Sequence, residues 1–428
     1  MNEKHIEELL AAGLINEDTA SDIQKYFQQK PDNSGQRYLL VFGILGALLV
    51  GLGIILILAH NWDTLSKSVK VVISFIPLLI SQALCAYSLF IKTEIASLKE
   101  TASTLLFLAI GASIALISQI YNIPGNFTSY LFVWMLLALP IVYLLKSNAA
   151  FIFYMIGITA YGIEAGYMDR PFSMAPWYWI LLIAGLPYYY FQCTRKPNSN
   201  FTNLHHWLIA LSVLICFNTS IDNDTAEYYM RNMVPASMNV LACFYLIGHL
   251  PYFRKQRVLS NPFLTLGSLG SIIMLLIFTF DDVWPSREIE DATIFSQQHI
   301  LMYGTFILAV LLLINRYRNT KSIIPKPVEW NFILFALLWY AIPVSLVTAV
   351  VINFIVLITG VLTIREGAES NHLGILNYGL IIIAALTICR FFDTNLSFVW
   401  RGILFVLVGI GFFITNMWMI KRRKRNHD

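Results

Sequence analysis

The chain has 428 residues, 57% of them hydrophobic and 13% charged, and its mean hydropathy is +0.65. Soluble domains run nearer to about 45–50% apolar and about 25% charged, so this composition excludes a single soluble core and places the chain in a membrane. The formal net charge of +4 is small, and the positions of the basic residues make it a record of membrane orientation, with no call for a nucleic-acid partner.

Residues 1–37 are expected to form a small cytoplasmic helical hairpin. Ile6, Leu9 and Leu10 share one helical face, Gly13 can end that helix and Asn16 can cap a second. Ile23, Tyr26 and Phe27 give the second helix its apolar stripe before Pro31 stops it. The start is acidic and amphipathic, without the basic and apolar regions of a signal peptide, so the first apolar run is expected to act as the insertion signal. Two short helices bury little surface. Their partner is the membrane domain of the same chain, a second copy in a homo-oligomer, or a cytoplasmic protein.

Residues 38–420 read as an all-α, polytopic integral membrane bundle. A span needs about 20 apolar residues, and runs bounded by charges or turn residues give about fourteen transmembrane helices. They fall near residues 38–59, 69–91, 102–120, 127–145, 149–168, 177–192, 204–219, 232–250, 262–280, 299–315, 329–344, 347–364, 373–391 and 398–420. No charge separates Glu329 from Arg365, so residues 329–364 fit either two spans or one span and a re-entrant loop. Residues 421–428 form a basic cytoplasmic tail. With an even number of spans and the N-terminus inside, most of the 29 Lys and Arg lie on the inner side. These include Arg254/Lys255/Arg257, Arg316/Arg318/Lys321/Lys326 and the run from Lys421 to Arg425, as retention of positive loops in the cytoplasm requires. Both termini are thus expected in the cytoplasm of a bacterial inner membrane. Trp62, Trp177, Trp179, Trp284 and Trp400 then lie near the outer interface.

Small residues in the first span, Gly43, Gly46, Ala47, Gly51 and Gly53, and the pair Gly111 and Ala115, point to close helix packing. Pro140, Pro187, Pro235 and Pro343 interrupt other spans, and bent or broken helices serve transporters at binding sites as well as occurring as plain kinks. The five cysteines lie in or beside apolar runs and read as reduced core residues.

Motifs of soluble enzymes are missing. The chain has no phosphate-cradling G-x-x-x-x-G-K-[ST], no H-E-x-x-H and no G-x-S-x-G. An enzyme is not expected, nor is a cofactor or a metal. Asp222, Asp224 and Glu227 in one outer loop lack the glycine turn and terminal acid of a calcium loop. His205, His206, His249 and His372 sit near inner span ends without an evident ligand set.

The polar residues within the spans carry the functional expectation, because charge at membrane depth persists mainly when paired or beside a wet cavity. Gln119, Glu164, Arg390 and Arg401 fall in the outer third of their spans, level with His60, Asp63 and Asp393. Asn239 and Asn353 lie deeper. Arg390 precedes Asp393 by three residues, and Arg401 lies near the start of its span, where the helix dipole disfavours a cation. The outer group reads either as a helix-end salt-bridge clasp or as a substrate site, with Arg390 and Arg401 receiving an anionic group and Glu164 carrying a proton. Asn61, Trp62 and Asp63 have ordinary helix-end roles, whereas His60 has none.

The helical pair around "AAGLI", the glycine-rich first span ending "AHNW", and "NYG", "RFFD", "RGILFVLVGIG" and "TNMW" near the C-terminus resemble a bacterial family of multi-spanning membrane proteins of uncharacterised function. The resemblance covers roughly residues 1–95 and 350–425 and implies a location and an architecture, with no reaction attached. Two functions follow as expectations: a secondary transporter or exporter of a small anionic or lipid-like solute, or a membrane scaffold or sensor that recruits a cytoplasmic partner through residues 1–37.

Overall fold

The computed structural model describes residue 10 and residues 12–16, 18–22, 34–60, 64–168, 174–175, 177–221, 226–284, 297–319, 327–341 and 345–391, with scattered positions between 399 and 413. Among these every regular element is a helix and none is a strand. In hydrocarbon the backbone must satisfy its own hydrogen bonds within the segment, which a helix does.

At the N-terminus the expected punctuation is present. Gly13 has a φ of 67°, and its N–H donates to the Leu10 carbonyl at 3.0 Å. Asn16 Oδ1 accepts the Thr19 N–H at 2.9 Å, the N-cap bond that opens the second helix. The apolar stripe residues Ile6, Leu9, Ile23, Tyr26 and Phe27 lie outside the described residues.

Thirteen longer helices follow among the described residues: α1 (Ser34–His60), α2 (Lys67–Phe90), α3 (Ala96–Tyr121), α4 (Phe127–Leu145), α5 (Asn148–Ile163), α6 (Tyr178–Arg195), α7 (Asn200–Cys216), α8 (Ala226–Gly248), α9 (Pro262–Ile277), α10 (Gln297–Asn319), α11 (Pro327–Ala341), α12 (Ser345–Glu369) and α13 (Leu373–Phe391). Eight candidates are long and apolar enough to cross a membrane by length and composition, and four further apolar stretches have 10–17 residues. The fuller figure of fourteen is not reached on the described residues, since α6 belongs to neither group and residues 398–420 are described only in scattered places. Residues 329–364 form two helices, α11 and α12. At about 1.5 Å per residue, the 15 residues of α11 fall short of the roughly 30 Å hydrocarbon thickness.

The chain divides into two compact units, Met1–Gly125 with Leu137–Phe153, and Asn126–Leu136 with Tyr154–Asp428. In the first, α3 packs against both α1 and α2. Of the expected glycine face on α1, Gly43 and Gly51 meet α3: an added Cβ would lie 2.7 Å from Thr101 Oγ1 and 3.0 Å from Leu108. Among the described residues, Gly46 and Gly53 have nothing within 4 Å, so Gly43 and Gly51 carry the described packing of this set. On α2 the buried small residues are Ser74, Ser81 and Ser88. Their seven-residue spacing makes a continuous seam. Each hydroxyl donates to the carbonyl three residues earlier, and Ser113 of α3 donates to the Ser74 carbonyl at 2.7 Å.

The same unit holds a buried carboxylate that the apolar runs do not reveal. Glu100, 6% exposed in α3, accepts the backbone N–H groups of Asn148 at 2.9 Å and Ala149 at 2.8 Å. It also accepts Asn148 Nδ2 at 3.1 Å and the Ser147 hydroxyl. These are the orphan donors at the start of α5, so one helix caps another from the side, aided by the positive end of the α5 dipole.

In the second unit, backbones touch at glycine. A Cβ on Gly267 of α9 would lie 2.3 Å from the Tyr245 nitrogen of α8, and one on Gly367 of α12 would lie 2.3 Å from the Leu376 nitrogen of α13. The same unit holds an aromatic core of Phe278, Trp284, Phe335 and Trp339. Trp284, expected in the interfacial belt, is 7% exposed and donates from Nε1 to the Phe278 carbonyl at 3.1 Å. Its ring has aromatic neighbours to pack on and its N–H has an acceptor, which satisfies both ends of the side chain inside the protein.

Candidate functional site

The outer polar group is only partly described. Asp63, Asp393 and Arg401 lie outside the described residues, and of His60 only the backbone, the last position of α1, is described. Gln119 is exposed near the end of α3 in the first unit. Glu164 and Arg390 belong to the second unit, and no ion pair joins them.

Arg390, in the last turn of α13, donates from Nη2 to Thr279 Oγ1 at 3.0 Å. Its guanidinium carbon sits 4.5 Å from the Phe280 ring centroid. Thr279 follows the end of α9, and its carbonyl accepts Asn353 Nδ2 at 3.0 Å. The cation therefore stands at the carboxyl ends of two helices, its own and α9, where both dipoles favour it. The described contacts are with the end of α9, and Asp393, the acid expected to complete a salt-bridge clasp, lies outside the described residues.

Glu164 opens a π-helical turn, Glu164–Met168, that continues α5. Its side chain is half-buried and makes no hydrogen bond or ion pair among the described residues. The turn packs beside Phe217–Thr219 and is held by Tyr167, whose hydroxyl donates to the Ile215 carbonyl at 2.7 Å. Such single π turns are frequent at functional sites.

Of the histidines expected near inner span ends, His206, His249 and His372 have hydrogen-bond partners nearby. His205 and His206 are fully buried, and His206 meets the hydroxyls of Tyr189 at 2.7 Å and Tyr252 at 3.4 Å. His249 Nδ1 donates to the Tyr245 carbonyl at 2.9 Å, and His372 Nδ1 accepts the Ile375 N–H at the start of α13. No group of three or more His, Cys, Asp or Glu among the described residues is placed to hold a metal ion. All five cysteines are free thiols.

A cavity of about 380 Å³ lies within the second unit, between α8, α10 and α11. Helix α8 contributes Pro235 and Asn239; α10 contributes Met302, Tyr303 and Phe306; α11 contributes Ile333, Ala336, Leu337 and Tyr340. Pro235 lacks the N–H that would bond the carbonyl four residues back, so α8 lacks one rung beside the hollow. One turn on, Asn239 is 2% exposed. Its Nδ2 donates to the Met302 carbonyl at 3.3 Å and to Thr305 Oγ1 at 3.4 Å. The carbonyl fixes which way the amide faces, and Oδ1 is left with no partner among the described residues. The Tyr340 hydroxyl donates to Met302 Sδ. Leu337 and Tyr340 at the rim are more than half exposed, so the hollow communicates with an apolar outer surface. None of the described lining residues carries a charge.

Further along α10 and α11, a buried ion pair closes the two helices together. Arg316 Nε pairs with Glu329, and the Tyr317 hydroxyl donates to Glu329 Oε2 at 2.9 Å. Trp330 Nε1 donates to the same hydroxyl at 3.2 Å. The Glu329 side chain is 1% exposed. Arg316 lies in the last turn of α10 and Glu329 in the first turn of α11, so both dipoles favour the charges they face.

Sequence reasoning had Pro235 and Asn239 separately, as a helix break and a polar residue. Their i, i+4 spacing puts them on one face of a helix, which was the available signal for the cavity. Residues 7–151, about a third of the chain, match the family described as "Predicted membrane protein (DUF2157)". The N-terminal part is thus similar to a membrane protein family of uncharacterised function, as the resemblance in the sequence implied. No curated protein and no solved structure matches the chain.

Proposed function

We propose that this multi-pass membrane protein is a secondary transporter that takes a lipid-like solute into the cavity between α8, α10 and α11. The observation that supports the reading most is the cavity itself: about 380 Å³, within the range of small-molecule sites, apolar, beside a proline break, and open at its rim to exposed apolar side chains. A solute dissolved in the bilayer reaches such a site without first entering water. The half-buried Glu164 carboxylate in its π turn is the proposed proton carrier, and Arg390 a structural clasp.

The topology proposed with this reading has fourteen spans and both termini in the cytoplasm. Support comes from the thirteen longer helices, which coincide in order with thirteen of the fourteen apolar runs, and from the inner basic clusters. The location is the bacterial inner membrane. A tag after Arg425 reachable only from outside the cell would overturn this orientation.

The transport test uses the full chain in sealed vesicles and follows transbilayer movement of a fluorescent single-chain lipid analogue. The expected result is faster movement than in protein-free vesicles, lost in Ala336→Trp, which fills the cavity. Equal rates in the wild type, the filled variant and protein-free vesicles would overturn the proposal.

A further inference from the structure

We infer that the cavity selects an uncharged single-chain amphiphile whose head donates one hydrogen bond, such as a long-chain alcohol, and rejects the corresponding anion. The inference rests on the cavity being the solute site and narrows what enters it.

Size sets the first limit. At about 30 Å³ for each water-sized group, a hollow of about 380 Å³ takes roughly a dozen heavy atoms, the size of one hydrocarbon chain of moderate length. Charge sets the second. Among the described residues, no Lys, Arg, His, Asp or Glu lines the hollow. A charge buried there would lose its hydration and gain no counter-ion, a cost that buried polar groups escape only by pairing. The outer Arg390, which an anionic solute was expected to meet, is already engaged with Thr279 and Phe280.

The third limit is hydrogen-bond polarity. Asn239 is 2% exposed, and its Nδ2 protons are directed to Met302 and Thr305 on α10. What the carboxamide has left is Oδ1, an acceptor with no partner among the described residues. Asn239 lines the hollow, and an acceptor on its wall is satisfied by a donor such as a hydroxyl. A carboxylate, phosphate diester or sulfonate has only acceptors to offer, so it would meet Oδ1 oxygen to oxygen. The open acceptor and the absence of positive charge among the described lining residues therefore select the same class of ligand.

The experiment uses the full chain in nanodiscs and three photoactivatable probes of equal chain length: an alkane, an alcohol and a sulfonate. Labelled peptides are mapped by mass spectrometry. The alcohol is expected to label residues 302–306 and 333–340 at least roughly tenfold more than the sulfonate, and Ala336→Trp is expected to abolish that labelling. Asn239→Leu should lower labelling by the alcohol roughly tenfold while leaving the alkane's unchanged, which separates loss of recognition from loss of fold. Equal labelling by alcohol and sulfonate, or by alcohol and alkane, would overturn the inference while leaving the cavity as a site. Labelling that avoids these peptides, or persists in Ala336→Trp, would overturn the cavity reading as well.

Discussion

Replacing Glu100 tests whether a side chain on one helix holds the start of another. In the first unit its carboxylate receives two backbone N–H groups, at 2.9 and 2.8 Å, an amide N–H from Asn148 and the Ser147 hydroxyl. Hydrogen bonds to a charged group are each worth about 1.5–3 kcal/mol net, and a buried donor left unmet costs about 1–3 kcal/mol. Ala149 is 2% exposed, so water does not readily replace the lost acceptor. These contributions overlap, and the expectation for Glu100→Ala is a loss on the order of 3–5 kcal/mol. Glu100→Gln keeps one acceptor oxygen but turns an NH₂ toward a donor, for a loss of about 2 kcal/mol. Ser147→Ala removes one donor to the carboxylate and the local cap on the Ala150 N–H, for about 1 kcal/mol. The assay is reversible unfolding in mixed micelles, with the ratio of sodium dodecyl sulfate to mild detergent as denaturant. Ranking the three variants matters more than any single value. If Glu100→Ala lies within about 0.5 kcal/mol of wild type, the size of an ordinary surface change, the capping argument is wrong.

The Arg316–Glu329 pair should show the asymmetry of buried ion pairs. Glu329→Ala, which strands a guanidinium, is expected to cost about 3–5 kcal/mol, whereas the double replacement Arg316→Met with Glu329→Leu should be close to neutral; the same unfolding assay run as a double-mutant cycle checks this. Gly267→Ala and Gly367→Ala force a methyl against backbone at 2.3 Å and should each destabilise by about 1–3 kcal/mol or more. Gly46→Ala and Gly53→Ala, with nothing within 4 Å, should be neutral or stabilising by about 0.5–1 kcal/mol in the same measurement. Arg390→Lys keeps the charge but loses the planar contact with Phe280, and a fall of about 1 kcal/mol is expected; a variant as stable as wild type would remove the clasp.

How far the sequence could be read depended on the range over which each interaction acts. Helix positions follow from local apolarity, so thirteen runs became helices, and the Gly13 and Asn16 signals were met because caps and terminators act within one turn. Glu100 was missed because a charge before an apolar run reads as the edge of a span. The helix in fact begins at Ala96, placing Glu100 inside it, and its partners lie 47 to 49 residues away. The serine seam of α2 was available as a seven-residue repeat but escaped attention, since serine does not interrupt an apolar run. Packing glycines could be listed without being sorted: Gly43 and Gly46 are only about 60° apart around a helix of 3.6 residues per turn, and only tertiary structure says which of them meets a neighbour. Polar residues that could form a site are read from charge, because charge stands out against hydrocarbon; of that group Asp63, Asp393 and Arg401 lie outside the described residues, and the described contacts of Arg390 are with a helix end. A site for a ligand that lives in the bilayer needs to differ from its surroundings by only a hollow and one unmet acceptor. Neither changes the hydropathy of the chain: the i, i+4 pair Pro235 and Asn239 marks one wall, and the cavity takes shape when three helices are assembled around it.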